Sequence, residues 1–337
     1  MLPAELEEFM KELGEPAFRA RQIFSWVQNG CTDFSEMTNL SISLREKLSK
    51  SCYIASAEIE RKFQSNIDET VKYLYRLHDG ELVESVLMKY HHGYTVCAST
   101  QVGCRMGCRF CASGLYGLRR NLTASEILAQ ITAAQKDNGI RVSNVVLMGM
   151  GEPLDNFDNT VRFLELVSHE NGLNVGLRHI SVSTSGLVPK IAELAQLHFP
   201  VTLSISLHNP FSEERSEIMP VNKKFDVNEL IAACREYINI TGRRISFEYA
   251  LIDHANDSMR HADRLAELLK GMLSHVNLIP SNPVVENNFK RSDPNRVAHF
   301  QTRLQQHGIN TTVRRTLGAD INASCGQLRR EHKNSTI

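Results

Sequence analysis

The sequence lacks several features that mark common classes of protein. No apolar run in the chain approaches the roughly 18 residues that a membrane-spanning helix needs. Residues 1–26 are acidic and amphipathic, with neither the basic start nor the apolar core of a signal peptide. The formal net charge is zero, so no overall positive field indicates a nucleic-acid partner. These absences argue against a membrane or secreted protein, and we expect a soluble cytoplasmic one.

The residues that are present are typical of a globular protein. Of the 337 residues, 42% are hydrophobic and 23% are charged, which is enough for a sizeable core. Basic residues recur as adjacent pairs. One such pair is an ordinary surface feature, but several converging pairs would hold a phosphate backbone. The pairs are Arg119-Arg120, Lys223-Lys224, Arg243-Arg244, Lys290-Arg291, Arg314-Arg315 and Arg329-Arg330.

The chain divides into four parts by its pattern of apolar residues. Residues 1–55 show the apolar spacing of short helices, and residues 56–89 show alternating runs and turns typical of antiparallel strands. Residues 90–325 contain helix and strand patterns that alternate about six times, and residues 326–337 form a tail. The alternation predicts an α/β fold with a parallel sheet, either a barrel or a doubly wound sheet.

Polar or glycine-rich segments follow four of the predicted parallel strands. They are GMGEP at 149–153, SVSTSG at 181–186, SISLH at 204–208 and PSNP at 280–283. Turns of this composition end strands in many proteins, so each segment alone indicates little. In parallel β/α folds, however, ligands bind at the carboxyl ends of the strands. We therefore expect these four segments to share one pocket.

Three of the eight cysteines, Cys104, Cys108 and Cys111, lie close together as C-x3-C-x2-C with no fourth cysteine nearby. Structural zinc sites usually have four ligands, whereas a catalytic metal site keeps an open position. Three thiolates can hold an iron–sulfur cluster in which one iron stays open. A zinc ion completed by a distant histidine or cysteine is the alternative.

The motifs resemble those of a known family. C-x3-C-x2-C with Phe110 before the last cysteine is similar to the signature of radical S-adenosylmethionine (SAM) enzymes. Further motifs narrow the resemblance to the RlmN/Cfr family of rRNA adenosine methyltransferases, and they span almost the whole chain. They are FRARQIFSW, CASTQVGCRMGCRFCASG, LMGMGEPLDN, SISLHNPFSEERSEIMPVN, NLIPSNP and DINASCGQL.

The resemblance implies a fold and two cofactors. The fold is a partial (β/α)6 TIM-like radical SAM barrel with a small N-terminal helical domain and a short β extension. Cys104, Cys108 and Cys111 would hold one four-iron, four-sulfur (4Fe–4S) cluster per chain, with SAM on the open iron. The positions that match SAM contacts are Gly151, Glu152, Ser183, Ser206, Leu207, His208 and Asn282, with Ser185 as a weaker contact.

The resemblance also implies a catalytic role for residues outside the cluster. Cys325 would accept a methyl group from one SAM molecule, and a radical generated from a second would then activate that methyl group for addition to the adenine carbon. Cys97 would form a transient disulfide with Cys325 and release the product. Glu84 matches the residue that accepts the proton of the ring carbon. Taken alone, Cys97 and Cys325 could equally be inert buried thiols, and Glu84 a solvent-facing carboxylate.

Family members act on 23S rRNA in the peptidyl-transferase centre, and some also on the tRNA adenosine 3′ to the anticodon. A flavodoxin-type electron donor, RNA binding by residues 1–55 and a monomeric state are further expectations. Pro153 and LIPSNP favour methylation at C2 of adenosine, whereas FCASG leans toward the C8 enzymes of Cfr type. A non-catalytic RNA-binding protein with a structural zinc, and a radical enzyme acting on a small metabolite, are the other readings.

Overall fold

The computed structural model describes residues 1–282 and 289–328. Its N-terminal part is a group of three helices, α1 (Pro3–Glu12), α2 (Arg19–Gln28) and α3 (Ile42–Ser51). Their apolar side chains, including Met10, Phe24 and Leu44, are buried in one core. Among the described residues, no helix is both long and apolar enough to cross a lipid bilayer.

Three antiparallel strands follow the helices and begin the main sheet. They are β1 (Glu58–Gln64), β2 (Val71–Arg76) and β3 (Leu82–Tyr90). Strand β3 pairs antiparallel with β4 (Gly93–Cys97), the first strand of the parallel part. The predicted β segment is therefore continuous with the barrel in a single sheet and is not a separate layer.

The rest of the described chain alternates helix and strand, as the sequence pattern predicts. A small hairpin, β5 (Gln101–Gly103) and β6 (Leu118–Asn121), comes first and forms its own two-stranded sheet. The alternating elements are α4 (Ala124–Asn138), β7 (Val142–Leu147), α5 (Phe157–Ser168), β8 (Ile180–Thr184), α6 (Val188–Gln196), β9 (Thr202–Ser206), α7 (Ser212–Ile218), α8 (Val227–Thr241), β10 (Ile245–Leu251), α9 (Met259–Leu269), β11 (Ser274–Pro280), α10 (Pro294–Gln306) and β12 (Thr311–Val313).

The main sheet has ten strands in the order β1-β2-β3-β4-β7-β8-β9-β10-β11-β12. All neighbours from β4 to β12 are parallel. Each crossover between them carries one or two helices, which gives six β/α units. This is the partial barrel predicted from the sequence, and the open choice between a barrel and a doubly wound sheet is resolved in favour of the barrel.

Local sequence explains where the longest helices begin and end. Thr123 and Asp226 cap α4 and α8 with capping boxes in which Glu126 and Glu229 bond back to the cap. Gly139 and Gly242 end these two helices in the left-handed conformation, which a residue without Cβ adopts at little cost. Because both ends are fixed, each helix returns the chain to the next parallel strand in register.

Candidate active site

A cavity of about 160 Å³ lies at the carboxyl ends of the parallel strands. All four of the polar segments predicted to share a pocket contribute to its wall. Of the residues predicted to have a functional role, the following line this cavity: Cys104, Cys108, Cys111, Gly151, Glu152, Ser183, Ser185, Ser206, His208, Asn282 and Cys325. Strand ends far apart in sequence thus meet at one place, as the parallel topology requires.

The three clustered cysteines lie on the loop between β5 and a 3₁₀ turn at Ala112–Gly114. Gly103, at the start of the loop, has φ +79°, and an added Cβ would lie 1.9 Å from the carbonyl oxygen of Gly117. Only glycine fits at this tight crossing. The Cys111 amide donates to the Cys108 carbonyl at 3.1 Å, which closes the loop around the thiols.

The chemistry of these thiols fits an iron–sulfur cluster. Burial raises the pKa of all three, that of Cys104 to about 12, so each stays protonated unless a metal stabilises the thiolate. Within the described residues, no three His, Cys, Asp or Glu side chains are arranged around a single metal ion. Three thiolates leave one iron of a 4Fe–4S cluster with an open position, so the donor set fits such a cluster.

Gly151 and Glu152 form the tight strand end beside the cysteines. Gly151 has φ +104°, and an added Cβ would lie 2.6 Å from the Cβ of Gln101. Glu152 is 3% exposed, and its carboxylate accepts hydrogen bonds from the amides of Ser185 at 2.7 Å and Leu154 at 3.1 Å. Burial nevertheless raises the pKa of Glu152. A ligand ammonium group would favour the ionised carboxylate, which fits the amino group of SAM.

His208 forms another part of the wall. Its Nδ1 accepts a hydrogen bond from the Ala250 amide at 2.9 Å, and its ring meets Phe110 edge-on at 4.8 Å. Burial lowers the pKa of His208 to about 3, so the imidazole is neutral and its Nε2 carries the proton. Ser206 is the last residue of β9 and Ser183 the last but one of β8, and both carry hydroxyl groups. The wall therefore offers donors and acceptors suited to a ribose and an adenine edge.

Leu207 does not line the cavity. Its side chain is 0% exposed, its amide donates to the Glu248 carbonyl at 3.1 Å, and its carbonyl accepts from Arg215 Nε at 2.9 Å. Leu207 thus lies behind the wall, where it supports Ser206 and His208. A contact between Leu207 and a cofactor remains a prediction.

A second cavity adjoins the first, and Cys97 and Cys325 both line it. Cys325 lines the two cavities, so its side chain lies between the clustered cysteines on one side and Cys97 on the other. Burial raises the pKa of Cys97 to about 12, and a negative charge on Cys325 would act in the same direction. Arg314, which also lines both cavities, opposes this effect because its positive charge favours the thiolate.

Hydrogen bonds hold the segment that carries Cys325 against the cysteine loop. The Ala112 amide donates to the Gly326 carbonyl at 2.8 Å, and Ser113 Oγ donates to the Leu328 carbonyl at 2.7 Å. Asn282 Nδ2 donates to the Cys325 carbonyl at 3.1 Å. The C-terminal thiol therefore reaches the cavity through contacts between segments more than 40 residues apart.

Glu84 lies outside both cavities, on β3. It is 1% exposed and forms an ion pair with Lys72, whose Nζ is 3.1 Å from Glu84 Oε1. The register pairs Val86 with Cys97, and side chains two residues apart on a strand share a face. Glu84 and Cys97 therefore lie on the same face of the sheet.

No sequence pattern marks three cations near the site, of which two are buried and one is half-buried. Lys72 pairs with Glu84, Arg215 lies behind the strand ends, and Arg314 lines both cavities. Arg314 belongs to a basic pair that was expected to face solvent or a phosphate backbone, but only 19% of its side chain is exposed.

The other basic pairs differ in their surroundings. Arg119 and Arg120 already form ion pairs with Glu81 and Asp79. Arg329-Arg330 lies outside the described residues. Arg119 and Arg120, at least, are therefore engaged with carboxylates of the protein itself and are less available to bind a phosphate backbone.

Comparisons with known proteins agree with this site. A family model described as "Ribosomal RNA large subunit methyltransferase N-terminal domain" matches residues 1–54, and the radical SAM superfamily model matches residues 98–267. A protein from Alkaliphilus oremlandii named "Probable dual-specificity RNA methyltransferase RlmN" is 56% identical, covering 97% of this chain and 96% of its own. The protein of that name from Clostridioides difficile is 51% identical, covering 98% and 96%.

A solved structure is also similar to this chain over nearly its whole length. The crystal structure of a radical SAM methyltransferase from Sphaerobacter thermophilus has a TM-score of 0.95 and 47% identity, covering 98% of both chains. These similarities extend over the barrel, the antiparallel strands and the N-terminal helices together. The predicted family is thereby confirmed: the chain belongs to the RlmN family of radical SAM methyltransferases.

Proposed function

We propose that the protein methylates C2 of adenosine in the peptidyl-transferase centre of 23S rRNA, and also the adenosine 3′ to the anticodon in tRNA. The observation that carries the proposal is the position of Cys325 between a cavity lined by three clustered cysteines and a cavity lined by Cys97. The dual-specificity names of relatives more than 50% identical support both RNA substrates and favour C2 over C8.

Cys104, Cys108 and Cys111 hold one 4Fe–4S cluster per chain in this proposal. When bound, the cluster supplies the electron that cleaves SAM reductively. Glu152 holds the ammonium group of SAM, because its carboxylate lies beside the cysteines with two backbone donors to orient it. The backbone of Gly151 approaches the same group, while Ser183, Ser206, His208 and Asn282 bind the remainder, with Leu207 supporting them from behind.

Cys325 carries the methyl group. Its thiolate attacks the methyl carbon of one SAM molecule, the sulfonium carbon–sulfur bond breaks, and S-adenosylhomocysteine leaves. A second SAM molecule per turnover would, on reductive cleavage, give a 5′-deoxyadenosyl radical that takes a hydrogen atom from the S-methyl group of Cys325 and becomes 5′-deoxyadenosine. The carbon radical left on Cys325 would add to C2 of adenosine, and the adduct would lose the C2 proton and one electron, which the oxidised cluster would take up. Arg314 lines both cavities together with Cys325, so its guanidinium places a positive charge next to the attacking sulfur.

Cys97 releases the product. Its thiolate attacks the Cys325 sulfur, a disulfide forms, the bond between that sulfur and the transferred carbon breaks, and the carbon takes a proton. External reduction of the disulfide restores both thiols. Glu84 accepts the proton of the ring carbon, and its ion pair with Lys72 holds its carboxylate in position on β3.

The remaining parts of the chain serve RNA binding and support. Residues 1–55 form an RNA-binding accessory domain, residues 56–89 connect it to the catalytic domain at residues 90–325, and residues 326–337 form a tail. The adenosine must leave its stack to reach the cavities, so single-stranded or splayed RNA is the natural substrate. We further propose a monomer in the cytoplasm, without membrane attachment, that receives electrons from a flavodoxin-type donor.

The test is mass spectrometry of adenosine from rRNA and tRNA of a deletion strain complemented with variants. The wild-type gene should restore 2-methyladenosine in both RNAs, and Cys325→Ala and Cys97→Ala should not. Cys52→Ser is the matched control, because Cys52 lies at the end of α3, outside both cavities, and it should restore the product.

Three outcomes would contradict the proposal. Persistence of 2-methyladenosine in the deletion strain would refute the C2 assignment, and the appearance of 8-methyladenosine on complementation would assign the protein to the C8 enzymes. Full activity of Cys325→Ala would exclude the methyl-carrying role of that thiol.

A further inference from the structure

Arg215 on α7 is a fully buried cation, with 0% of its surface exposed. Its guanidinium donates four hydrogen bonds, and every acceptor is an uncharged oxygen. Three are backbone carbonyls at the strand ends, and the fourth is a side-chain amide. They are Ser185 O at 2.7 Å, Leu207 O at 2.9 Å, Ser206 O at 3.0 Å and Asn222 Oδ1 at 2.9 Å.

Such an environment is costly for a positive charge. No carboxylate of the described residues lies within ion-pair distance of Arg215, although the chain pairs many of its other arginines. Burial lowers the pKa of Arg215 to about 10, which still leaves it charged at neutral pH. A buried ion without a counter-ion destabilises a fold, so we expect a compensating anion near Arg215 when the protein is active.

The position of Arg215 indicates where that anion lies. Ser185 and Ser206, whose carbonyls bind the guanidinium, line the main cavity. The last residue of α7, Ile218, accepts a hydrogen bond from the Arg109 amide at 2.9 Å, and Arg109 directly follows Cys108 in the cysteine loop. Arg215 is therefore one residue behind the cavity wall, on the side of the clustered thiols. The positive charge of Arg215 would favour a thiolate at Cys108.

We propose that Arg215 is the buried counter-charge of the iron–sulfur cluster and raises its reduction potential. This inference rests on the proposed function, which places the cluster on Cys104, Cys108 and Cys111. A 4Fe–4S cluster held by three thiolates is an anion, and it gains one more negative charge when an external reductant transfers an electron to it. A nearby buried cation stabilises the reduced form more than the oxidised form, so Arg215 makes this reduction more favourable.

The other cations near the loop do not have this property. Arg105 is neutralised by Asp155, whose Oδ2 accepts from Arg105 Nε at 2.8 Å, and 63% of the Arg105 side chain is exposed. Arg109 is also exposed, so water and salt screen its charge. Arg215 alone combines full burial with the absence of a carboxylate partner among the described arginines of this region.

The experiment is an EPR-monitored redox titration of the full-length, cluster-loaded protein, with iron and sulfide content measured on each sample. Arg215→Gln should load the cluster but show a lower midpoint potential than the wild type, while Arg215→Lys, which keeps the charge, should stay close to it. Arg109→Gln removes an exposed cation next to Cys108, and its shift should be smaller than that of Arg215→Gln. The shift for Arg215→Gln should also persist at high salt, because a buried charge is poorly screened.

Equal midpoint potentials for Arg215→Gln and the wild type, with full cluster loading, would overturn the proposal. If Arg215→Gln does not fold, Asn222→Asp replaces it, because the new carboxylate faces the guanidinium at the place of Asn222 Oδ1 and neutralises it. That variant should also lower the midpoint potential, and an unchanged value would refute the role of the charge. A wild-type protein that binds no 4Fe–4S cluster would instead refute the proposed function itself.

Discussion

Replacing Gly151 by alanine tests whether the tight strand end beside the cysteines positions the SAM site. With φ +104°, Gly151 has a backbone conformation that other residues rarely adopt. Its added Cβ would lie 2.6 Å from Gln101 Cβ and 2.8 Å from the Gln101 backbone nitrogen. Neither atom belongs to the flexible end of a side chain, so backbone or core must move.

The movement would disturb a buried network. Gln101 is 0% exposed, its Nε2 donates to Asp155 Oδ2 at 2.9 Å, and its Oε1 accepts from the Glu152 amide at 2.8 Å. Backbone strain at such a site costs about 1–3 kcal/mol, and overpacking adds about 1–3 kcal/mol. Gly151→Ala should therefore lower the free energy of unfolding by about 2–6 kcal/mol.

Gly242→Ala is the matched control. Gly242 has φ +65° at the end of α8, and an added Cβ would meet nothing within 4 Å. Only the left-handed backbone is penalised there, by about 1–2 kcal/mol. The two variants should thus differ by roughly the overpacking contribution of about 1–3 kcal/mol.

The assay has two parts. Urea unfolding of the cluster-free proteins gives the free energies of unfolding, and equilibrium dialysis of the reconstituted proteins gives SAM affinity. Gly151→Ala should weaken SAM binding because Glu152 moves with its amide, whereas Gly242→Ala should not. Equal losses of stability, or wild-type SAM affinity in Gly151→Ala, would refute this account of the strand end.

Three further predictions concern buried groups. Lys72→Met should lower the free energy of unfolding by about 3 kcal/mol because it removes the ammonium group that lies 3.1 Å from the buried Glu84 carboxylate. Adding Glu84→Gln should recover part of that loss in urea unfolding, and no recovery would show that the ion pair is not the cause of the loss. His208 binds a proton near pH 6.5 when unfolded but only near pH 3 when folded, so acid favours unfolding. Between pH 7 and pH 5, protonation of His208 in the unfolded chain should lower the free energy of unfolding by about 2 kcal/mol. Urea unfolding of His208→Asn should lack this part of the pH dependence, and identical pH profiles for the variant and the wild type would contradict the lowered pKa. Mild oxidation of a variant with serine at the three cluster positions should join Cys97 to Cys325, because both line one cavity; peptide mapping that finds other linkages instead would contradict that placement.

The sequence predicts the architecture well where local signals repeat. The alternation of amphipathic helices and apolar strands is enough for a parallel α/β sheet, whereas the choice of a barrel rested on the family resemblance. Thr123 is recognisable as a helix cap. No local sequence signal shows that the strands from β1 to β12 form one continuous sheet. Pairing between β3 and β4 is antiparallel and the next pairing is parallel, and only long-range contacts select this arrangement.

In the candidate site, too, residues with a local sequence signal were predicted and residues defined by long-range contacts were not. Cys104, Cys108 and Cys111 are recognisable because their chemistry is encoded in short spacing, and the strand-end segments because parallel topology places them together. Arg215 and Lys72 were missed because a buried cation has the same letter as an exposed one. Their importance comes from what surrounds them, namely neutral oxygens in one case and a single carboxylate in the other.

The two sets of thiols are positioned by different parts of the fold. Cys97 ends β4, so the sheet register fixes it opposite Val86 and on the face that Glu84 shares. Cys325 has no strand to hold it, and its place depends on the hydrogen bonds of residues 326 and 328 to the cysteine loop and on Asn282. Cys325 lines both cavities. A short segment without a strand allows this position, whereas a strand would fix the side chain on one face of the sheet. The loop that carries Cys104, Cys108 and Cys111 thus also supports Cys325, which brings residues more than 200 positions apart to the wall of one cavity.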